Sequence, residues 1–168
     1  MLGKMLRNAK RVGILFVCAN NICRSPMAAA VFRDGAARAG ILDKVEVDAA
    51  GINQTHVGHA IDPRALAVAA RHGYALPARR ARQIRREDFN RFAYILAMDE
   101  GNLRALLALK PASHAGHIGL LLDFAPQACA RDVPDPYYGS LASFERAMAL
   151  IEPPAIALAR DLATRLVR

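Results

Sequence analysis

The sequence predicts an α/β fold, an open parallel sheet with helices on both faces, on three observations. Val12, Ile14, Leu15, Phe16 and Val17 form a nearly unbroken apolar run, the pattern of a parallel strand buried on both sides. Four strand-like stretches alternate with helical ones, which implies right-handed crossovers into one sheet. The first strand passes through a short loop, opening at Cys18, into a helix whose N-cap and first residue read as Ser25 and Pro26.

The elements follow in order. Met27 to Phe32 continue the first helix, and Ala39-Gly40 ends it, because glycine takes the C′ position without steric cost. Lys44 to Ala49 alternates polar and apolar residues and reads as the second strand. Gly, Asn, Gln, Thr and His accumulate from Gly51 to Ile61, a loop. Asp62-Pro63 then caps a helix that runs to about Arg71 and stops at His72-Gly73. Phe92 to Met98 is a third buried strand, Asp99-Glu100 caps the helix running to about Leu109, and Lys110-Pro111 closes it. His117 to Leu122 is the fourth strand. The last helix runs from Ser140 or Leu141 to the C-terminus. A kink or break is expected at Glu152 to Pro154, since proline removes an intrahelical bond and restricts the residue before it.

A chain of 168 residues suits one domain, 1–168, with a core that needs no disulfide staples. Residues 1–10 carry Lys4, Arg7 and Lys10 without a signal-peptide core and read as a flexible tail. No window approaches the roughly 18–20 apolar residues of a membrane span. Cys18, Cys23 and Cys129 are an odd, sparse set that suits a reactive thiol in a reducing compartment, hence a cytoplasmic address. The net charge of +8 draws acidic partners, and charge alone does not choose between phosphorylated protein and nucleic acid. Arg79, Arg80, Arg82, Arg85, Arg86 and Arg91 read either as a solvated face or as a docking surface for acidic substrates. Without interleaved aromatic residues they argue against a nucleic-acid partner. No H-E-x-x-H, EF-hand, zinc or G-x-x-x-x-G-K-[ST] spacing occurs, so neither metal nor cofactor is expected.

The chemistry concentrates at Cys18-Ala19-Asn20-Asn21-Ile22-Cys23-Arg24-Ser25. In such a turn the free N–H groups of the loop and of the first helical turn converge with the helix dipole into an anion cradle. The same field favours a thiolate at Cys18, with the Arg24 guanidinium on the other rim. Cys18 is then a nucleophile placed where a phosphate would sit. The plain alternative is a small buried residue beside a surface cation. Far along the chain, Asp132-Val133-Pro134-Asp135-Pro136-Tyr137-Tyr138-Gly139 is the other distinctive stretch, which by itself is an ordinary surface turn.

Cys18, five residues, Arg24 and Ser25, set between Ile-Leu-Phe-Val and Pro-Met-Ala, is similar to the signature of the low-molecular-weight protein tyrosine phosphatases. Asp48-Ala-Ala-Gly, His56-Val-Gly, Asp62-Pro-Arg, His72-Gly and Ala81-Arg-Gln-Ile run in the family's order, so the resemblance spans the chain. It implies the strand order 2-1-3-4 and a phosphatase that acts on phosphotyrosine through a phosphocysteine intermediate. Its partner would be a phosphotyrosine-containing protein, with a tyrosine kinase as one candidate. It implies Cys18 as nucleophile, Arg24 as phosphoryl clamp and Asp135, in the D-P-Y-Y element, as general acid. The amides of Ala19, Asn20, Asn21, Ile22 and Cys23 bind phosphoryl oxygens, Asn21 and Ser25 hold the loop in shape, and Tyr137 and Tyr138 wall a deep slot. Cys23 matches a cysteine that can form a protective disulfide with the nucleophile.

Several positions depart from the family pattern. Asn20 stands where glycine is usual, and asparagine is best able to share glycine's positive-φ conformation. Ala49 replaces a loop-supporting serine, and Arg79 a histidine of the same network. Thr55 takes the place of an aromatic ring on the slot's other wall, which predicts a raised KM. Ile22 stands where relatives acting on phosphoarginine tend to carry threonine. Two further readings share the fold: an arsenate reductase, which needs a resolving cysteine pair that Cys129 alone does not supply, and a non-catalytic phosphate-binding module.

Overall fold

β1 (Val12–Cys18) alternates its side chains between two cores. Ile14, Phe16 and Cys18 face one, Leu15 and Val17 the other, and the residues from Ile14 to Val17 are fully buried. Such a strand must lie at the centre of the sheet. The computed structural model, which describes residues 10–125, 127 and 129–167, places it there. It lies between β2 (Val45–Gly51) and β3 (Tyr94–Ala97), with β4 (His117–Leu120) beyond β3, in the order β2-β1-β3-β4. All three pairings are parallel, and the β1–β2 register ends on Cys18 opposite Gly51. Apart from Lys10, the expected N-terminal tail lies outside the described residues.

One face carries α1 (Arg24–Arg38), α2 (Pro63–Arg71) and α5 (Leu141–Leu166), and the other carries the short α3 (Asp88–Arg91) and α4 (Glu100–Leu109). Two of the N-caps read from sequence, Asp62 and Asp99, are formed. The Asp62 side chain accepts from Arg64 N at 2.9 Å, and Asp99 accepts from Asn102 N at 2.7 Å. Gly40 and Gly73 end their helices with φ of 71° and 82°.

Two expectations are corrected. The break at Glu152 to Pro154 is absent: α5 runs through both prolines. Phe144, Ala147, Met148, Ile151, Pro154, Ala155, Leu158 and Leu162 recur at helical spacing and are buried against α1 and the sheet, which outweighs the lost backbone bonds. The fourth strand ends at Leu120, because Leu121–Phe124 tighten into a 3₁₀ turn that buries Leu121 and Leu122. Among the described residues no helix is long and apolar enough to cross a membrane.

Candidate active site

The central parallel strands end at one edge of the sheet, and ligands of open α/β sheets bind outside that edge where the strand order reverses. Cys18 closes β1 there, Asp99 follows β3, and the backbone of Val133 is tied to the same edge by its N–H donating to Met98 O at 2.8 Å. The loop leaving Cys18 is drawn tightly around its sulfur. Asn21 N–H donates to Cys18 Sγ at 3.3 Å, and Ser25 Oγ lies 3.1 Å from it. The left-handed residue of this turn is Asn21, with φ of 59°, and not Asn20 as expected. That conformation aims the buried Asn21 amide inward: Nδ2 donates to Ser25 Oγ at 2.9 Å and Oδ1 accepts Arg82 N–H at 3.0 Å. Asn20 stays at the surface side, where its Oδ1 accepts from Asn53 Nδ2.

Ser25 is likewise not the N-cap. Cys23 takes that position without a side-chain cap bond, and Ser25 lies within the helix, its hydroxyl shared among Cys18 Sγ, the Asn21 amide and the Ala50 carbonyl. Arg24, at the first turn of α1, is 1% exposed, far from the surface cation of the plain reading. Its Nη1 donates to Asp99 Oδ2 and to Val133 O, both at 2.7 Å, while Nη2 stands 3.2 Å from Asp135 Oδ2. Burial penalises this charge, but Cys18, Asp135 and Asp99 outweigh it and hold the guanidinium above the ordinary arginine pKa. Its Nε is buried and has no hydrogen-bond partner among the described residues, a donor still free for a ligand.

Cys18, Asn20, Ile22, Cys23, Arg24, Asp135 and Tyr137 line one slot. The chain thus brings together the sulfur, guanidinium and carboxylate expected from sequence. Ala19 is partly exposed, and its carbonyl accepts Asn53 N–H at 2.8 Å. Tyr138 does not wall the slot: it is 96% exposed and meets the edge of Tyr137, since a single side of a turn can present only one of two neighbouring rings inward. Thr55 is exposed and also outside the lining; His56 beside it stacks edge-on against Tyr137 at 5.5 Å. All three cysteines are free. Burial, and then the Asp62 carboxylate and Cys18, push the Cys23 thiol above the usual thiol range, so it stays protonated beside Cys18. Half of the arginine cluster is tied down by ion pairs. Arg79 and Arg82 grip Asp48, Arg82 also binds Asp88, and Arg91 pairs with Glu46.

A family model described as low molecular weight phosphotyrosine protein phosphatase matches residues 13–167. The chain belongs to that family. A low molecular weight protein-tyrosine-phosphatase of Bacillus subtilis is 40% identical over 141 residues, 84% of this chain and 89% of its own length. A crystal structure of a protein tyrosine phosphatase from Entamoeba histolytica superposes with a TM-score of 0.87 at 34% identity, covering 92% of this chain and 99% of that one. A Drosophila arginine phosphatase structure superposes with a TM-score of 0.82 at 29% identity, over 89% and 96% of the two chains. Membership accounts for the strand order and the loop.

Sequence reasoning missed three parts of this family site. Asp99 reads as a helix cap, and it is one through Oδ1, but its Oδ2 orients Arg24. The signal was its position directly after a central strand. Arg82 and Arg64 read as members of a basic surface and of a helix start. Arg82 instead holds Asn21 through its N–H, and Arg64 donates to the carbonyls of Tyr137 and Gly139, both at 2.9 Å.

Proposed function

We propose that this chain hydrolyses phosphotyrosine monoesters through Cys18, Arg24 and Asp135. The observation that carries the reading is the convergence of all three on one slot, with the Asp135 carboxylate 3.2 Å from the buried Arg24. In the first step Cys18 thiolate attacks phosphorus, an S–P bond forms, and the P–O bond to the phenol breaks. The phenol's ordinary pKa is about 10, so a proton delivered by Asp135 to the leaving oxygen should contribute roughly 10²–10⁴ in rate. In the second step water attacks phosphorus, Asp135 takes its proton, and phosphate leaves as the thiolate is restored.

Arg24 Nε and Nη2 form the fork for two equatorial oxygens, because Nη1 is already held by Asp99 and Val133. Substrate phosphoryl takes over the Asp135 contact to Nη2 and frees that carboxyl to face the leaving group. The loop amides supply fixed donors for the remaining charge. Ser25 and the Asn21 N–H hold the sulfur in line. Ile22, buried at the slot, favours an aryl substrate over phosphoarginine, and Tyr137 offers the ring wall. The substrate is a phosphotyrosine-containing protein. The odd, sparse cysteines support a cytoplasmic setting.

The test is hydrolysis of aryl phosphates, phosphotyrosine peptide and phosphoarginine peptide without added metal, by wild type, Cys18→Ser and Asp135→Ala. Cys18→Ser is expected to abolish turnover. Asp135→Ala should lose about 10²–10⁴ with poor leaving groups and much less with good ones. Equal leaving-group sensitivity in wild type and Asp135→Ala overturns the acid assignment, and faster turnover of phosphoarginine overturns the substrate.

A further inference from the structure

A second cavity, of about 190 Å³, shares no lining residue with the slot but reaches the same loop through Asn21. Its apolar side is Pro26 and Ala29 of α1 and Ala49 of β2; its rim is Arg33, Arg79, Arg80 and Arg82 against the single carboxylate of Asp48. Asp48 is shared between Arg79, at 2.8 Å, and Arg82, at 3.0 Å, and Arg82 turns its other edge to Asp88. Among the described residues, Arg33 and Arg80 donate to carbonyls, Val47 O at 2.7 Å and Gly58 O at 3.1 Å. Four guanidiniums therefore meet two carboxylates, an excess of two positive charges around an apolar floor. Burial and then the Arg79 charge push the Arg33 pKa down, the mark of a cation short of anionic company.

We infer that this cavity binds a compact organic dianion, an apolar body about the size of a benzene ring with its charge held between Arg33, Arg79 and Arg80. The volume suits it: an apolar protein cavity of about 150 Å³ accommodates benzene. Ala49, where the family resemblance places a serine, leaves this wall apolar. Occupancy is felt at the nucleophile because Asn21 lines the cavity, accepts from the Arg82 N–H and donates to Cys18 Sγ. The site stands independently of the phosphatase reading; only the kinetic arm below rests on it.

The probe is phthalate, titrated calorimetrically into the full chain before and after carboxymethylation of Cys18, which fills the slot. One-to-one binding is expected with a Kd on the order of 0.1–1 mM, as its size and charge allow, unchanged by carboxymethylation. Arg33→Met and Arg80→Met should each weaken it about tenfold or more, and Ala49→Leu should abolish it by filling the floor. Neutral dimethyl phthalate should not bind, and inorganic sulfate should bind far more weakly. With aryl phosphate as substrate, phthalate should change kcat and leave KM in place. Loss of binding on carboxymethylation, competitive inhibition, or wild-type affinity in both arginine variants overturns the site. Binding with kcat unchanged overturns the coupling through Asn21.

Discussion

Arg64 does not line the slot, yet it holds the segment that carries Asp135, the proposed acid. Its Nε and Nη2 clasp both oxygens of Asp62, its Nη1 and Nη2 reach Gly139 O and Tyr137 O, and its guanidinium lies 4.5 Å over the Phe144 ring. Asp62 N–H in turn donates to Ile22 O at 2.9 Å, so one arginine links the two halves of the site. Arg64→Met keeps the stem over Phe144 and removes the bonds. Steady-state kinetics should show kcat for poor leaving groups falling about tenfold with KM little changed, since misplacing the acid is a transition-state loss. Equal losses for good and poor leaving groups would show that Arg64 does not act through Asp135. At this scale the sequence pointed to three residues that meet in one slot but not to their supports. Cys18, Arg24 and Asp135 are chemically necessary types, whereas Asp99 and Arg82 acquire their roles only from what the fold sets beside them.

The second strand and the last helix show how an element shapes the site. A Cβ on Gly51 would lie 2.9 Å from Ala19 O and 2.9 Å from the Asn20 carbonyl carbon, against backbone that cannot step aside. Gly51→Ala should displace the loop, costing about 1–3 kcal/mol of stability by denaturant unfolding and a larger share of turnover than of substrate affinity. The sequence reads this glycine as the start of a loop, whereas it is the last residue of β2, and its crowding depends on β2 pairing with β1, which no local pattern records. In α5, Pro153 is exposed and leaves Ala149 O without its i+4 donor. Pro153→Ala restores that bond, and thermal and chemical melts should show stabilisation of about 1–3 kcal/mol.

Across the whole molecule, α2 is fastened to α5 by His72. Its Nε2 lies 2.7 Å from Glu145 and its Nδ1 2.6 Å from Glu152, with Arg71 also on Glu145 and Tyr74 near Glu152. The hydrogen bond to Glu145, against partial desolvation, raises the His72 pKa, and the same bond lowers that of Glu145. The raised histidine contributes stability fully below its ordinary value of about 6.5 and loses it as pH climbs through the folded value. The depressed Glu145 contributes above about 4.3 and loses it as pH falls through its own folded value. The clamp is therefore strongest in the mildly acidic range between them. Melting temperature should fall from pH 6.5 to 8.5 in wild type, and His72→Gln should flatten that slope; identical slopes would remove His72 from the pH dependence.

The parallel α/β architecture was already written in the order of residues, because an apolar run of β1's length must be buried on both faces. The Cys18 loop and the D-P-Y-Y element were equally legible, because each is a run of consecutive residues. Long-range packing set which asparagine is left-handed, which tyrosine faces the slot, and that α5 continues through two prolines. It also decided that four arginines close around a cavity behind the loop. Each of these turns on contacts between residues distant in the chain, and the energy of such contacts exceeds the local preferences from which a sequence is read.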